Sequence, residues 1–285
     1  MEEPRAVYDL VGALADFPVR REPPTQSIVI CTLQRSGSTL LGEAIYFAES
    51  LGCPLEYFHP GFRPLFAKRW QQAEPNEFIA ALHRHRTSPS GIFSIKLFWR
   101  DVMDFARERG LEGLPATTNV AMPDDMYRRI FAVLLEAIPN PRFVFLTRQD
   151  QLRQAVSLHV AGETGRWREL SERGDVTSTQ TEYRFIQIAK LLAAVQRHRA
   201  HWMNFFRANK LNYYSLAYED LERDYDGTLR KFFAAIGQPD AKIATPRLHK
   251  QAGTDSERLI ELFMAEFREK LRDSAPQPGA VLPDL

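Results

Sequence analysis

The sequence predicts an α/β fold in which helices cover both faces of a parallel central sheet. Short apolar runs rich in β-branched residues recur along the chain and alternate with longer segments of helical periodicity. Short, continuously apolar strands are typical of parallel sheets, because both faces of such a sheet are buried. Strands that alternate with helices in this way indicate crossover connections and a layered α/β architecture.

Four apolar runs are predicted to form the strands: residues 27–33 (SIVICTL), 92–98 (IFSIKLF), 143–147 (FVFLT) and 213–216 (YYSL). Helical periodicity predicts helices in the segments between and after them, at residues 39–51, 101–109, 124–137, 150–160, 181–208, 218–236 and 255–272. Several predicted helices begin at Asp or Thr, for example at Asp101 and Asp150. Such side chains can cap the free N–H groups of a first turn.

The domain organisation follows from composition. Residues 1–26 are polar and contain two adjacent prolines, which indicates a lead-in segment, and residues 27–272 are predicted to form a single domain. Residues 162–180 are polar and contain glycine, so they are predicted to form a mobile active-site loop. Residues 273–285 contain three prolines and are interpreted as a loose C-terminal tail.

The balance of charge and apolar residues excludes several classes of protein. A net charge of +1 argues against a nucleic-acid partner, which would need a concentrated basic surface. No segment approaches the roughly 18 to 20 apolar residues of a membrane helix, and two cysteines do not form a disulfide framework. We therefore expect a cytoplasmic protein without stable membrane insertion. The seven histidines show no metal-ligand spacing, and residues 83–86 (HRHR) are interpreted as a solvated basic helix end.

A loop between the first strand and the first helix has the composition of an anion site. It contains Arg35, Ser36, Gly37, Ser38 and Thr39. Gly37 permits a tight turn, the hydroxyl groups add donors, and Arg35 adds a fixed positive fork. A helix N-terminus directed at the same point also favours an anion. The alternative is an ordinary strand–helix turn with a capping serine.

This candidate anion-binding loop differs from the phosphate loop of nucleoside triphosphatases. It lacks the first Gly and the Lys of the G-x-x-x-x-G-K-[ST] pattern, and the third strand ends in Thr147 and Arg148 where an Asp would help to hold Mg²⁺. The sequence therefore predicts a metal-free site for a phosphate or phosphosulfate. Arg148 and Ser157 are expected at the same carboxyl edge of the sheet, where they would bind a second anion. The alternative is a surface Arg and a helix-face Ser.

Several motifs resemble those of sulfotransferases. The segment TLQRSGST with its following helix resembles their 5′-phosphosulfate loop, Arg148 with Ser157 resembles their 3′-phosphate site, and SLAYEDL around Tyr218 is similar to their Tyr-Glu-Asp segment. More narrowly, an ordered set of motifs resembles the bacterial trehalose 2-sulfotransferase family over roughly residues 27–272. These motifs are QRSGSTLL, PLEYF, KLFW, QAVS and RLHKQAGTDSER.

The resemblance implies a P-loop-like sulfotransferase fold and the sulfuryl donor PAPS (3′-phosphoadenosine-5′-phosphosulfate), with PAP as product and no metal. Arg35 through Thr39 would hold the 5′-phosphosulfate, Arg148 and Ser157 the 3′-phosphate, and Tyr218 would lie near the adenine. The acceptor would be a hydroxyl of a carbohydrate, either a small molecule or a glycolipid or glycan. Family members often form homodimers. Residues 59–90 and 162–180 do not match closely enough to name trehalose as the acceptor.

Sulfuryl transfer by in-line displacement needs a base for the acceptor hydroxyl and cations for the developing charge. The resemblance implies that Glu56 is the base. Without the resemblance, Glu56 is interpreted as a solvated loop residue. His59 is the rival base, and Phe98 stands where many animal sulfotransferases place a catalytic His. Arg35 would stabilise charge on the leaving oxygen. Lys96 would stabilise the same charge or donate a proton, and the alternative is a lysine that extends to the surface.

Aromatic residues can form flat surfaces against sugar rings. Tyr57, Phe58, Trp99 and Trp167 are candidates for contact with the acceptor, together with His59, although aromatic residues are more often part of a core. Two other functions are compatible with the motifs alone. One is a nucleotide-dependent kinase with a degenerate phosphate loop, and the other is a non-catalytic nucleotide-binding protein.

Overall fold

The computed structural model of the chain describes residues 9–165, 167, 180–247 and 254–273. The chain forms two compact units. The first comprises Met1–Gln149 and Ala194–Pro246, and the second comprises Asp150–Ala193 and Arg247–Leu285. Most of the predicted active-site loop at residues 162–180, and all but the first residue of the predicted tail at residues 273–285, lie outside the described residues.

The first unit contains a four-stranded parallel sheet. Its strands are β1 (Gln26–Thr32), β2 (Ile92–Phe98), β3 (Pro141–Thr147) and β4 (Tyr213–Ala217). They lie in the order β2-β1-β3-β4, and every neighbouring pair is parallel. All four predicted strands are present, with ends that differ by at most two residues. The predicted parallel α/β fold is therefore confirmed.

Helices cover both faces of this sheet. In the first unit they are α1 (Ser38–Phe47), α2 (Arg63–Trp70), α3 (Pro75–Arg86), α4 (Trp99–Glu108), α5 (Asp124–Ala137), α8 (Tyr218–Arg223) and α9 (Tyr225–Ala235). On one face, apolar residues of β1 and β3 pack with α1 and α9. On the other face, Phe205 and Phe206 of α7 (Phe185–Ala208), a helix that runs through both units, contact the ring of Phe143.

Local capping explains where the helices differ from the predictions. The single helix predicted at residues 218–236 is divided into α8 and α9, because the Asp224 side chain accepts the N–H of Gly227 and starts a new helix. Asp150 caps its helix as predicted. Asp101 does not cap, since α4 begins two residues earlier without a side-chain cap. Helix α2 was not predicted, and only the end of α3, at residues 83–86, was.

The predicted solvated helix end at residues 83–86 is wrong for its last residue. Arg86 is fully buried, where its Nε lies 2.9 Å from Asp16 Oδ1 and its Nη1 donates to the carbonyl of Leu10 over 2.9 Å. A buried guanidinium needs partners of this kind, because loss of hydration disfavours an isolated charge. The N-terminal segment thus supplies an anion and carbonyl groups to the end of α3.

The second unit has its own apolar core. Helix α6 (Gln151–Thr164) packs against α10 (Thr254–Asp273). Val156 of α6, Phe263 of α10 and Ile188 of α7 belong to one buried apolar cluster. Among the residues that the structure describes, no helix is long and apolar enough to cross a membrane.

Candidate functional site

The loop after β1 has an unusual backbone. Arg35 has φ = 63° and Gly37 has φ = 80°, both in the left-handed region, with Ser36 between them. Left-handed residues that alternate with right-handed or extended ones turn successive N–H groups toward one side, which creates an anion-binding concavity. Helix α1 begins directly after this turn, at Ser38, and adds its own N-terminal N–H groups. The backbone therefore suits the predicted phosphate loop.

Hydroxyl groups hold the loop in this shape. Ser36 is fully buried, and its Oγ donates to the carbonyl of Leu33 over 2.6 Å. The same oxygen lies 2.6 Å from Oγ1 of Thr32 at the end of β1. The Ser36 hydroxyl thus stabilises the turn from within, while Ser38 is buried and Thr39 half-buried in the first turn of α1.

Tyr218 and Arg148 meet at the phosphate loop. A Cβ atom added to Gly37 would lie 2.4 Å from Cδ2 of Tyr218, so only glycine allows this approach. The guanidinium of Arg148 lies over the Tyr218 ring, 4.9 Å from its centroid, and Nη1 of Arg148 is 3.4 Å from the carbonyl oxygen of Arg35. The structure therefore brings four predicted site residues together at the carboxyl edge of the sheet.

Glu219 helps to hold this arrangement, although the sequence analysis gave it no role of its own. Its two carboxylate oxygens accept the N–H of Gln149 at 3.0 and 3.1 Å. This contact joins the first turn of α8 to the segment that follows β3, so that Tyr218 and Arg148 are held side by side. The Tyr-Glu-Asp segment contained the only signal for this contact.

Glu56 and Lys96 form a buried ion pair. Oε1 of Glu56 lies 2.9 Å from Nζ of Lys96, and the two side chains are 7% and 1% exposed. The backbone explains the pairing, because the N–H of Lys96 donates to the carbonyl of Leu55 over 3.0 Å and Leu55 bridges in parallel to β2. The predicted base and the predicted cation are thus neighbours near the carboxyl end of β2.

His59 lies close to this pair, but donors approach both of its ring nitrogens. Nη2 of Arg100 is 2.9 Å from Nε2, and the N–H of Gly61 donates to Nδ1 over 3.0 Å. Burial lowers the pKa of His59, and the charge of Arg100 lowers it further. This environment opposes protonation of the imidazole, and so it weakens His59 as a proton acceptor.

Asp101 is a site residue that the sequence analysis missed, since it was interpreted only as a helix cap. Its side chain is 1% exposed in the first turn of α4. Burial raises its pKa to about 7, Arg100 opposes that rise, and the charge of Glu56 adds to it. Asp101 and Glu56 therefore belong to one electrostatic cluster.

Most of the aromatic candidates for acceptor contact are buried in the first unit. Tyr57 and Trp99 are fully buried, and Phe58 is 5% exposed. The ring of Phe58 stacks on Phe105 at a centroid distance of 4.0 Å. These packing contacts match the alternative interpretation of a core role, and their contact with an acceptor stays a prediction.

Two further predicted site residues lie in the second unit. Ser157 is half-buried on α6, and Trp167 is 47% exposed. Among the described residues, no group of three or more His, Cys, Asp or Glu side chains is arranged to hold a metal ion.

Two curated proteins are similar to this chain over most of its length. The trehalose 2-sulfotransferase of Mycobacterium tuberculosis (strain ATCC 35801 / TMC 107 / Erdman) is 25% identical over 264 residues, which cover 84% of this chain and 94% of that protein. The trehalose 2-sulfotransferase of Mycolicibacterium smegmatis (strain ATCC 700084 / mc(2)155) is 24% identical over 280 residues, which cover 89% and 98%.

Two solved structures align with most of this chain at low sequence identity. The sulfotransferase domain of the Synechococcus PCC 7002 olefin synthase aligns with a TM-score of 0.37 and 13% identity, over 87% of this chain and 98% of that domain. The sulfotransferase domain from the curacin biosynthetic pathway aligns with a TM-score of 0.40 and 15% identity, over 83% of each chain.

The sequence model of one protein family, described as Stf0 sulphotransferase, matches residues 27–266. This match covers all of the central sheet except the first residue of β1, and it includes the phosphate loop and the Glu56–Lys96 pair. The chain therefore belongs to the Stf0 sulphotransferase family.

Proposed function

We propose that this sulfotransferase-family protein moves the sulfuryl group of PAPS onto a hydroxyl of a carbohydrate or glycoconjugate. The observation that carries the proposal is the meeting of Arg148 and Tyr218 at the phosphate loop, on the side of the sheet where β1 and β3 end. A cation and an aromatic ring beside an anion-binding turn are suited to a nucleotide that bears phosphate groups at both the 5′ and 3′ positions.

Each residue of this cluster has a role in donor binding. The loop from Arg35 to Thr39 would hold the 5′-phosphosulfate through its backbone N–H groups and the Arg35 side chain. Arg148, with Ser157, would bind the 3′-phosphate, and Tyr218 would lie against the adenine. The loop has neither the lysine nor the following aspartate of a magnesium-dependent site, so we propose that donor binding needs no metal.

We propose Glu56 as the general base and Lys96 as its partner. PAPS supplies an activated sulfuryl group, with PAP as the leaving group. The Lys96 ammonium at 2.9 Å favours the carboxylate form of Glu56, which can accept the proton of the acceptor hydroxyl as the new O–S bond forms. Once Glu56 is neutral, the charge of Lys96 acts on the leaving oxygen together with Arg35.

The environment of His59 supports Glu56 over His59 as the base. The imidazole faces donors at both nitrogens, and burial together with Arg100 lowers its pKa. A base must gain a proton during the reaction, and His59 would have to lose the Arg100 contact to do so. We propose instead that His59 and the half-exposed Arg100 border the acceptor side of the site.

The test is mass spectrometry of an acceptor panel incubated with the protein and PAPS. Trehalose belongs in the panel because both curated relatives are named for it, along with other disaccharides, a glycolipid and a sulfate-free glycan. We expect a mass gain of one SO₃ group on at least one carbohydrate, with EDTA present. Transfer of phosphate from ATP that depends on Mg²⁺ would support a kinase. PAPS binding without turnover on any acceptor would support a non-catalytic protein.

A further inference from the structure

Asp101 is a buried carboxylate with few stabilising contacts. Among the residues that the structure describes, neither of its oxygens has a hydrogen-bond donor within reach. Nε of Arg100 lies 3.7 Å from Oδ1, which is an electrostatic contact longer than a hydrogen bond. Burial of a carboxylate without a hydrogen-bond donor lowers the stability of the folded chain. The burial of Asp101 in this way therefore points to a role in function.

A series of contacts connects Asp101 to the proposed base. Nη2 of Arg100, next to Asp101, lies 2.9 Å from Nε2 of His59. The N–H of His59 donates to the carbonyl of Glu56 over 3.0 Å, and the Glu56 carboxylate is 2.9 Å from Lys96. His59 and Arg100 thus connect the start of α4, where Asp101 is buried, to the segment that carries the Glu56–Lys96 pair.

The two carboxylates interact as like charges. The charged groups that act on Asp101 are Arg100 and Asp104 on its own helix and Glu56 on the segment beside β2. After burial, which is the main cause of the raised pKa of about 7, Arg100 lowers this pKa and the other two groups raise it. Because such coupling is reciprocal, an ionised Asp101 raises the proton affinity of Glu56 by the same free energy.

We propose that Asp101 is a positioning residue for the base: its negative charge opposes that of Lys96 and keeps Glu56 an effective proton acceptor. The inference rests on the proposed function of Glu56. The Lys96 ammonium favours the carboxylate form of Glu56, which makes that carboxylate a weaker proton acceptor. Ionised Asp101 acts in the opposite direction, and Glu56 is therefore the stronger base in the pH range where Asp101 carries its charge.

The first test is the pH dependence of kcat in the wild type and in Asp101→Asn. The wild-type kcat should rise as the pH passes through about 7, where Asp101 ionises, and Asp101→Asn should lack this rise. Asp104→Asn is the matched control, because Asp104 lies one turn along the same helix but is 44% exposed. It should keep the rise. A purely structural role would lower kcat alike at every pH, and a rise retained in Asp101→Asn would overturn the inference.

The second test does not depend on turnover. The carboxyl carbon of Asp101 is followed by NMR in protein with isotope-labelled aspartate, and its signal is identified by its absence from Asp101→Asn. Wild-type Asp101 should titrate near pH 7, and Glu56→Gln should lower that value. Asp104→Asn should change it less, because solvent screens an exposed charge.

Titration of Asp101 near its ordinary value of about 4 in the wild type would contradict the inference even if Glu56→Gln fails to fold. An unchanged titration in a folded Glu56→Gln variant would contradict it as well. Failure of turnover with every acceptor, combined with the expected NMR result, would instead count against the proposed function alone.

Discussion

Substitution of Gly37 by Ala tests the packing of Tyr218 on the phosphate loop. The new Cβ has two effects. First, φ = 80° places an L-residue in the left-handed region, which costs about 1–2 kcal/mol. Second, the Cβ would lie 2.4 Å from Cδ2 of Tyr218, so the ring must move at a cost of about 1–3 kcal/mol. We therefore expect a loss of about 2–5 kcal/mol in the free energy of unfolding.

Gly110→Ala is the matched control, because Gly110 has φ = 77° and no atom within 4 Å of an added Cβ. Gly110→Ala should lose only the stability that an L-residue costs in the left-handed region. The difference between the two variants in the free energy of unfolding then measures the clash with Tyr218. Urea unfolding gives both free energies, and calorimetric titration with PAP gives donor affinity. Movement of Tyr218 also disturbs Arg148, so Gly37→Ala should bind PAP at least about tenfold more weakly. Equal stability losses in the two variants, together with wild-type PAP affinity in Gly37→Ala, would refute this reasoning.

Three further predictions concern single residues of the site. Arg148→Ala should lose about 1.5–3 kcal/mol of the free energy of PAP binding, and much of the preference for PAPS over adenosine 5′-phosphosulfate, both measured by calorimetry. An unchanged preference would place the 3′-phosphate elsewhere. Glu56→Gln should lower kcat by a factor of about 10²–10⁴ with little change in PAP affinity, whereas His59→Ala should keep most of its kcat. Normal kcat in Glu56→Gln together with a loss of kcat in His59→Ala would make His59 the base. Asp101 has a raised pKa in the folded state, so the wild type should lose up to about 4 kcal/mol of stability as the pH rises from about 4 to 7. Asp101→Asn should lack that loss in urea unfolding, and equal pH dependence in both proteins would contradict the raised pKa.

The sequence predicted the sheet well because its signals are local. A buried parallel strand is a short run of apolar residues, and β2 is buried at all seven positions. The anion-binding turn could also be predicted, because Gly37 and the following helix are adjacent in the sequence. By contrast, α2 has a single buried residue, Phe66, so its pattern contains no clear apolar face.

Contacts between distant residues account for what the sequence did not reveal. Arg86 was interpreted as solvated because nothing near it in the chain indicates its partner Asp16, which is 70 positions away. Asp101 was interpreted as a cap because its burial depends on the packing of α4 and on the segment around Glu56. Local pattern also does not distinguish a core aromatic residue from a ligand-binding one, as Tyr57 illustrates.

A single-turnover experiment tests the central claim most directly. The protein, in excess over PAPS and in the presence of EDTA, is mixed with the acceptor that gains mass in the panel, and PAP and sulfated product are both quantified over time. We predict that the two products form at the same rate and in equal amounts, and that Glu56→Gln slows both together. Formation of PAP without sulfated product, or an absolute requirement for a divalent metal, would contradict metal-free sulfuryl transfer by this site.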